Sequence, residues 1–599
     1  MKPSVRTQIL RLTQSVEIAR SELIQPLWNN YGTLSRVWLE GGPVSSVIVK
    51  HIQIPVELAH PRGFASSVSR ERKIRSYEVE SFWYQNQNLN RPARSPTPGC
   101  LGAVSESGEL FLVLEDLRNR GFEDAVSDAS MVEIRLVLRW LAAFHAAYLG
   151  SSGEGLWSTG TYWHLATRPE ELENIRGTEL HRFASLLDAR LRCGGFPTLV
   201  HGDAKLANFL FTKKRDAVAA VDFQYVGCGS AMKDLAYFVG SCLSGRECER
   251  REEELLGTYF SALREGLTPE VNGAELELEW RSLYPVAWAD FQRFMLGWSP
   301  GHRKLSDYSD GTTRRAIGEI EEELRCAART ACLMAGQVLR DRHNQPLEVH
   351  SKGFESQAAD VVTAVDLEAQ EAILGCLERT IQRYDLGVLA EEGESDGSRL
   401  QKHAFWAVDP LDGTRFYAEG AEGFAVSVAL VSRAGEVLLG AVYDPVEDRL
   451  FEAVRGKGVW LNGRALETRS RTSMGLGSVR CYADRSLEKT PGFEALKETA
   501  DIHFVGGAVV NALHVLLDPR SVYIKAPKRS LGGGAVWDFA AVSLMLEEAS
   551  GCVQSYSGEP LHWNRETTVY YNDTGVVFLG AAVDPQNRFW ERHLSPDCG

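Results

Sequence analysis

The chain has 599 residues, with 80 acidic against 65 lysine and arginine side chains and a formal net charge of −15. That length exceeds what one hydrophobic core organises, so two or more domains are expected, and 44% hydrophobic with 24% charged residues excludes a disordered chain. The negative balance excludes nucleic-acid polymers and membranes as organising partners, while a small phosphorylated metabolite stays open because local cations reverse the sign inside a site.

Residues 1–22 mix charges with apolar side chains and lack the apolar run of a signal peptide. No stretch approaches the roughly 20 apolar residues that span a bilayer, so a cytoplasmic protein is expected. The first predicted elements are two strands, residues 35–39 and 45–50, around the turn Glu40-Gly-Gly-Pro43. A helix running to Tyr84 follows, then an apolar strand over 110–114. Ile134, Leu138, Leu141 and His145 mark one face of a long helix. A small sheet lobe followed by a mostly helical lobe is the expected arrangement.

Next comes His201-Gly-Asp203-Ala-Lys-Leu-Ala-Asn208, then Val221-Asp222-Phe-Gln224, read as a strand, then Asp234-Leu-Ala. Phosphoryl transfer from ATP needs an acid near the acceptor hydroxyl, two oxygen ligands for magnesium and a cation on the nucleotide phosphates. Asp203 fits the base, Asn208 and Asp222 the metal ligands, and Lys50 the cation. His201 reads as a structural histidine because Asp203 already fills the base role, and His145 as a packed one. These motifs resemble the aminoglycoside phosphotransferase and choline kinase group, above all its ecdysteroid-kinase-like branch, over roughly residues 20–295. The resemblance implies a two-lobed, protein-kinase-like fold, ATP as cofactor, and Glu80, rather than Glu78, as the partner of Lys50. Asn29-Asn-Tyr-Gly32 stands where a nucleotide loop belongs but lacks a full glycine-rich pattern. A non-catalytic binding or regulatory module is therefore the alternative to a kinase.

Residues 297–311 are rich in breakers and small polar residues and read as a boundary, with Thr312 or Thr313 capping the helix that follows. The expected division is 1–300, a linker over 301–314, and 315–599. Four acidic elements then appear in order: Asp360-Val-Val-Thr-Ala-Val-Asp366, Glu391-Glu392, Asp409-Pro-Leu-Asp412-Gly-Thr414 and Trp537-Asp538. Oxygen ligands without histidine or cysteine suit a hard cation such as Mg2+, which can neutralise a phosphate dianion and activate a water. Asp444 and Glu447 read as ordinary surface acids, and Gly532-Gly-Gly534 as a flexible or close-packed turn.

From about Arg315 onward the order and spacing resemble the inositol monophosphatase superfamily. The carriers are WxxDPLDGT, the upstream DxxTxxD and the WD followed by Glu548-Ala-Ser-Gly551. The fold class implied is α/β and α+β in two domains, the second being the layered α/β sugar-phosphatase fold. By this resemblance Glu391, Asp409 and the Leu411 carbonyl hold one metal, and Asp409, Asp412 and Asp538 a second. Asp366 with Thr414 orients the attacking water, Asp360 supports them, and the backbone amides of Gly413 and Thr414 receive the phosphate. Lys525 stands where the family carries an acidic substrate-binding residue, and 3′(2′),5′-bisphosphate nucleotidases are similar in having a basic one. They show Lys-Glu-Phe after DGT, where this chain has Arg415-Phe-Tyr, so a bisphosphate nucleotide and an inositol or sugar phosphate both stay open. By analogy alone the resemblance admits a homodimer. The eleven cysteines, with no CxxC pair, read as buried thiols in a reducing compartment.

Overall fold

The computed structural model describes residues 3–28, 31–53, 67–90, 92–106, 108–343, 349–351, 361–467, 479–532, 534–586 and 588–594. The chain divides into two compact units, 1–319 and 320–599. Asp360, Asn29 and Asn30 lie outside the described residues. Among the described residues no helix is long and apolar enough to cross a membrane, and ten cysteines are free thiols.

The first unit opens with helix α1 (Pro3–Thr13) and strands β1 (Glu17–Pro26), β2 (Gly32–Glu40) and β3 (Ser46–Gln53). Helix α2 (Ser67–Gln85) precedes β4 (Cys100–Glu106) and β5 (Glu109–Glu115). The five strands form one antiparallel sheet in the order β1-β2-β3-β5-β4. The expected turn over 40–43 does join β2 to β3, whereas α1 and β1 were not anticipated, their charged residues hiding the apolar pattern. Strand alternation sends Val47 and Val49 to the face that α1 covers with Val5 and Ile9. Ile48 and Lys50 take the opposite face and line a cavity. Gly32 has φ +134°, and a Cβ there would lie 1.9 Å from the His51 carbonyl oxygen. Its role in the suspected nucleotide loop is therefore to let β2 approach β3.

The rest of this unit is mostly helical, as expected. Helix α3 (Met131–Ala147) starts in a capping box in which the Ser130 amide donates to Glu133 Oε2 at 2.7 Å. A hairpin of β6 (Phe209–Thr212) and β7 (Val218–Ala220) follows, then helices α4 (Met232–Cys242) and α5 (Gly273–Trp298). Trp140 of α3 is fully buried, stacked on Phe144 at 5.1 Å and edge-on to Phe209 at 5.6 Å. Its indole N–H donates to the Pro96 carbonyl at 3.0 Å.

The boundary segment corrects one reading. Gly297 and Trp298 end α5, and the next helix, α6 (Asp307–Arg342), starts five residues before Thr312. The Ser306 amide donates to Ser309 Oγ at 2.8 Å and the Ser309 amide to Ser306 Oγ at 3.3 Å. This reciprocal serine pair caps α6, so the polar composition that reads as a loop is a helix start. Thr312 and Thr313 are buried within the helix.

The second unit is layered. Helix α7 (Ala364–Tyr384) leads into β8 (Gly387–Ala390), β9 (Ala404–Asp412), the short helix α8 (Thr414–Ala418), β10 (Ala425–Ser432) and β11 (Val437–Asp444). With β12 (Arg449–Val454), β13 (Gly458–Leu461) and β14 (Arg464–Ala465) these strands form a seven-stranded sheet in sequence order, parallel only between β8 and β9. A second sheet holds β15 (Val479–Ala483), β16 (Ala500–His503), β17 (Ser521–Lys525), β18 (Cys552–Gln554) and β19 (Val576–Leu579), ordered β16-β15-β17-β19-β18. Helices α9 (Ala508–Leu517) and α10 (Val536–Glu548) lie between the sheets and share one core with them. Every residue of β9 is buried: Phe405 and Ala407 face that core, while the Trp406 indole donates to Thr380 Oγ1 of α7 at 3.1 Å. Asp444, read as a surface acid, is buried instead. It accepts Arg449 Nη2 at 2.7 Å and the amides of Val446 and Glu447, whereas Glu447 is exposed.

Trp140→Ala empties a site between α3 and the β6–β7 hairpin and strands the Pro96 carbonyl. A loss of about 3–5 kcal/mol is expected, read as a lower denaturant midpoint of the first unit.

Candidate active sites

In the first unit α2 presents Tyr77, Glu80 and Tyr84 on one face, three and four residues apart. Lys50 Nζ donates to Glu80 at 2.7 and 2.9 Å and to Asp222 Oδ1 at 3.1 Å. Glu78 points away and meets Arg75 at 3.3 Å. Burial alone would lower the Lys50 pKa, but Asp222 and Glu80 outweigh it and hold the ammonium charged, with its pKa raised. Residues 221–224 are not a strand: Asp222 has φ +71°, which breaks the ladder beyond β7. Phe223 then stacks under Trp83 at 4.9 Å and turns the Asp222 carboxylate toward Lys50. Burial would raise the Asp222 pKa, yet Lys50, Lys205 and Lys73 together hold it well below the usual carboxylate range.

Asp203 Oδ2 accepts Lys205 Nζ at 2.8 Å and Asn208 Nδ2 at 3.1 Å, and the same amide donates to the Asp203 carbonyl at 2.8 Å. Beneath this loop Asp234 accepts the His201 and Gly202 amides at 2.5 and 2.9 Å. His201 Nε2 lies 3.0 Å from the Val221 carbonyl, which ties the loop to the exit of β7. His145 is buried between Asp234, at 3.2 Å, and the Tyr259 hydroxyl, at 2.7 Å. Both histidines hold the loop in place. Lys50, Glu80, Asp203, Asn208 and Asp222 all line one cavity of about 870 Å3, within the range of roughly 300–1,000 Å3 that small-molecule sites occupy. Sequence reading passed over Lys205, although it stands two residues after Asp203.

In the second unit, ligand oxygens of Asp409, Asp412 and Asp538 lie within 4.8 Å of one another. A bulge between β9 and β10, at Asp409 and Asp412, brings both carboxylates to the same end of the strand. Asp409 Oδ1 accepts the Leu411 amide at 3.0 Å, and its Oδ2 is buried without a hydrogen-bond donor. Asp412 accepts the Ala508 and Val509 amides at 3.0 and 2.8 Å, the opening turn of α9. Asp538 accepts the Ala535 amide at 2.5 Å where α10 begins. Burial first, then Glu391, Asp538 and Asp412, push the Asp409 pKa well above its ordinary value, and burial with Asp538 does the same to Asp412. Glu391 is brought beside β9 by a hydrogen bond from its backbone amide to the Val408 carbonyl at 3.1 Å.

Gly413 has φ +84° and opens α8, and the Thr414 hydroxyl donates to the Leu411 carbonyl at 3.0 Å. Asp366 is buried in the first turn of α7. Burial and the Asp366 charge push the Tyr417 hydroxyl of α8 up to about 12. Lys525 Nζ sits 2.8 Å from Asp484, which also accepts the Tyr523 hydroxyl at 3.2 Å and Asn511 Nδ2 at 3.3 Å. Burial would lower the Lys525 pKa, but Asp484, Asp538 and Asp412 keep it charged. Gly534 packs a would-be Cβ 2.8 Å from the Phe539 ring and 3.1 Å from Lys525 Cε. Sequence reading missed Asp484 and Gly507. A Cβ on Gly507 would lie 2.4 Å from Asp412 Oδ2, so the glycine lets α9 reach the carboxylate, and Gly506-Gly507 before an apolar helical run was the available signal.

The donor set fits magnesium: oxygen ligands only, like charges clustered with Asp409 and Asp412 buried, and one carboxylate oxygen without a donor. The inositol monophosphatase family profile matches residues 320–582. A Nus factor SuhB of Xylella fastidiosa is 31% identical over 235 residues, covering 38% of this chain and 80% of that protein. A fructose-1,6-bisphosphatase/inositol-1-monophosphatase of Thermotoga maritima is 30% identical over 216 residues, covering 36% of this chain and 78% of that one. The crystal structure of extragenic suppressor protein suhB from Bartonella henselae is similar at 26% identity, covering 47% of this chain and 98% of that one, with a TM-score of 0.37. The chain belongs to the inositol monophosphatase family. Upstream, the ecdysteroid kinase-like family profile matches residues 78–150 and 159–269, so a kinase-like domain is fused to the phosphatase domain.

Asp409→Asn removes one charge from the cluster. In chelator the variant should melt above the wild type. Magnesium should raise the melting temperature of the wild type and leave the variant nearly unmoved.

Proposed function

We propose that the phosphatase unit is a magnesium-dependent phosphomonoesterase acting on a substrate with a second anionic group, 3′-phosphoadenosine 5′-phosphate being the leading case. The convergence of Asp409, Asp412 and Asp538 within 4.8 Å, with a donorless oxygen on Asp409, carries the reaction class. Bound magnesium would neutralise the phosphate dianion and the leaving alkoxide and make a water acidic. Glu391, Asp409, the Leu411 carbonyl, Asp412 and Asp538 would hold the ions. The Thr414 hydroxyl and Asp366 would orient the attacking water, with Asp366 receiving its proton. The Gly413 and Thr414 amides would receive the phosphate oxygens.

Lys525 supports the second anionic group: it is charged and flanks the cluster on the strand leading to α10. Its pairing with Asp484 favours a second reading. A carboxylate beside an ammonium also accepts polyol hydroxyls, which suits an inositol or sugar phosphate. Phosphate release with magnesium should favour 3′-phosphoadenosine 5′-phosphate over inositol 1-phosphate. Asp409→Asn should fall to background on both, and Lys525→Gln should lose the preference. Faster release from inositol 1-phosphate would instead establish the polyol reading.

We further propose that the first unit phosphorylates a small-molecule hydroxyl with ATP. The Lys50–Glu80–Asp222 constellation facing Asp203 and Asn208 across one cavity supports this. Magnesium and ATP should raise the melting temperature, and Lys50→Ala should abolish that shift. An unmoved wild type would leave a non-catalytic module.

A further inference from the structure

The cations of the kinase cavity are not all used by the proposed chemistry. Lys50 is matched by Glu80 and Asp222, and Lys205 by Asp203. Arg72 and Lys73, adjacent on α2, direct their hydrogen bonds to neutral groups among the described residues, and Lys73 acts on Asp222 only at longer range. Arg72 Nη1 donates to the Thr167 carbonyl at 2.6 Å and Nη2 to Ser69 Oγ at 3.2 Å. Lys73 Nζ donates to Gln224 Oε1 at 2.6 Å and lies 4.6 Å above the Tyr77 ring. The neighbouring Arg168 is already neutralised by Glu171 at 2.9 Å, both side chains being buried. Burial, then Arg168, bring the Arg72 pKa down to about 10, against the smaller raising effects of Tyr225, Glu171 and Glu170. Two cations hydrogen-bonded only to neutral groups in a partly desolvated cavity leave room for an anion at ion-pair distance.

An aromatic wall joins this pair to the catalytic end. The Tyr237 hydroxyl, pushed up by burial and by the Asp203 carboxylate, lies 3.3 Å from the Tyr162 hydroxyl. The Tyr162 ring meets Tyr225 edge-on at 5.9 Å and Phe294 at 5.4 Å. Its carbonyl accepts Arg168 Nε at 2.7 Å, and five residues further along the chain the Thr167 carbonyl accepts Arg72.

We infer that the acceptor of this unit, granted the kinase reading, is an anionic ring alcohol. Arg72 and Lys73 receive its oxyanion, Tyr162, Tyr225 and Phe294 flank its ring, and Asp203 faces its hydroxyl. In the transfer the acceptor O–H proton passes to the Asp203 carboxylate and the acceptor oxygen bonds to the γ-phosphorus of ATP. The bond from that phosphorus to the β–γ bridging oxygen breaks, and its electron pair leaves with ADP. A cationic acceptor is repelled by the surplus on α2.

The test is calorimetric titration of the full chain, with magnesium and a non-hydrolysable ATP analogue, by three matched probes: 4-(hydroxymethyl)benzoate, its carboxamide and 4-(hydroxymethyl)benzylamine. The benzoate should bind about tenfold tighter than the amide, with the amine weakest. Arg72→Gln should erase that preference, Arg72→Lys should retain it, and nucleotide affinity should stay within about twofold. Equal binding of the three probes, or of none, overturns the inference. So does a tenfold loss of nucleotide affinity in Arg72→Gln, which would place these cations on the triphosphate. If the wild type binds no nucleotide analogue, the kinase reading fails by itself, and the same titrations without nucleotide still decide the anion subsite.

Discussion

Burying several like charges side by side is costly, and in the phosphatase unit the surrounding fold is arranged around that cost. Asp412 receives the first two amides of α9, Asp538 the amide that opens α10, and Asp409 the amide two residues ahead of it. Each carboxylate therefore draws on backbone donors that helix starts or a tight turn leave unpaired. The bulge in β9, the missing side chain at Gly507 and the placement of two helices between the sheets all follow from bringing those donors to one point. What the backbone leaves open is the Asp409 Oδ2 position, where the proposed cation rather than another amide would complete the set.

The kinase-like unit meets the same difficulty with the opposite means. Its acids are matched by ammonium groups from distant segments: Lys50 from a strand for Glu80 and Asp222, and Lys205 from the same loop for Asp203. Backbone donors are spent one layer lower, where Asp234 holds the His201 loop. Side-chain pairs of this kind can open when a nucleotide brings its own charge. The carboxylates of the phosphatase unit, fixed by amides, cannot.

Much of this was legible in the sequence because the chemistry is carried by short, closely spaced runs. Asp409, Asp412 and Thr414 occupy one strand end, and Asp203 and Asn208 one loop, so local spacing already places them. The choice of Glu80 over Glu78 came with the family resemblance; in the structure Lys50 contacts Glu80, while Glu78 meets Arg75. What escaped notice depends on partners far along the chain. Asp484 acquires meaning only through Lys525 and Asn511, and Gly507 only through Asp412. The start of α6 was missed for another reason: serines that look like loop residues serve equally as caps. Residues 221–224 read as a strand within the kinase-like motif, but the positive φ of Asp222 is invisible to the sequence pattern.

Helix α9 touches both halves of the phosphatase site. Its first turn grips Asp412, and one turn later Asn511 reaches Asp484, the partner of Lys525. A rigid element with a ligand-sensitive group at each contact joins two equilibria into one cycle. On the proposed assignment, a displacement of α9 accompanying cation capture would be carried to the Asp484–Lys525 pair, and one imposed by substrate would return to Asp412. Cation and substrate affinities would then be reciprocal quantities, each measured at a stated concentration of the other, and neither constant would belong to the protein alone.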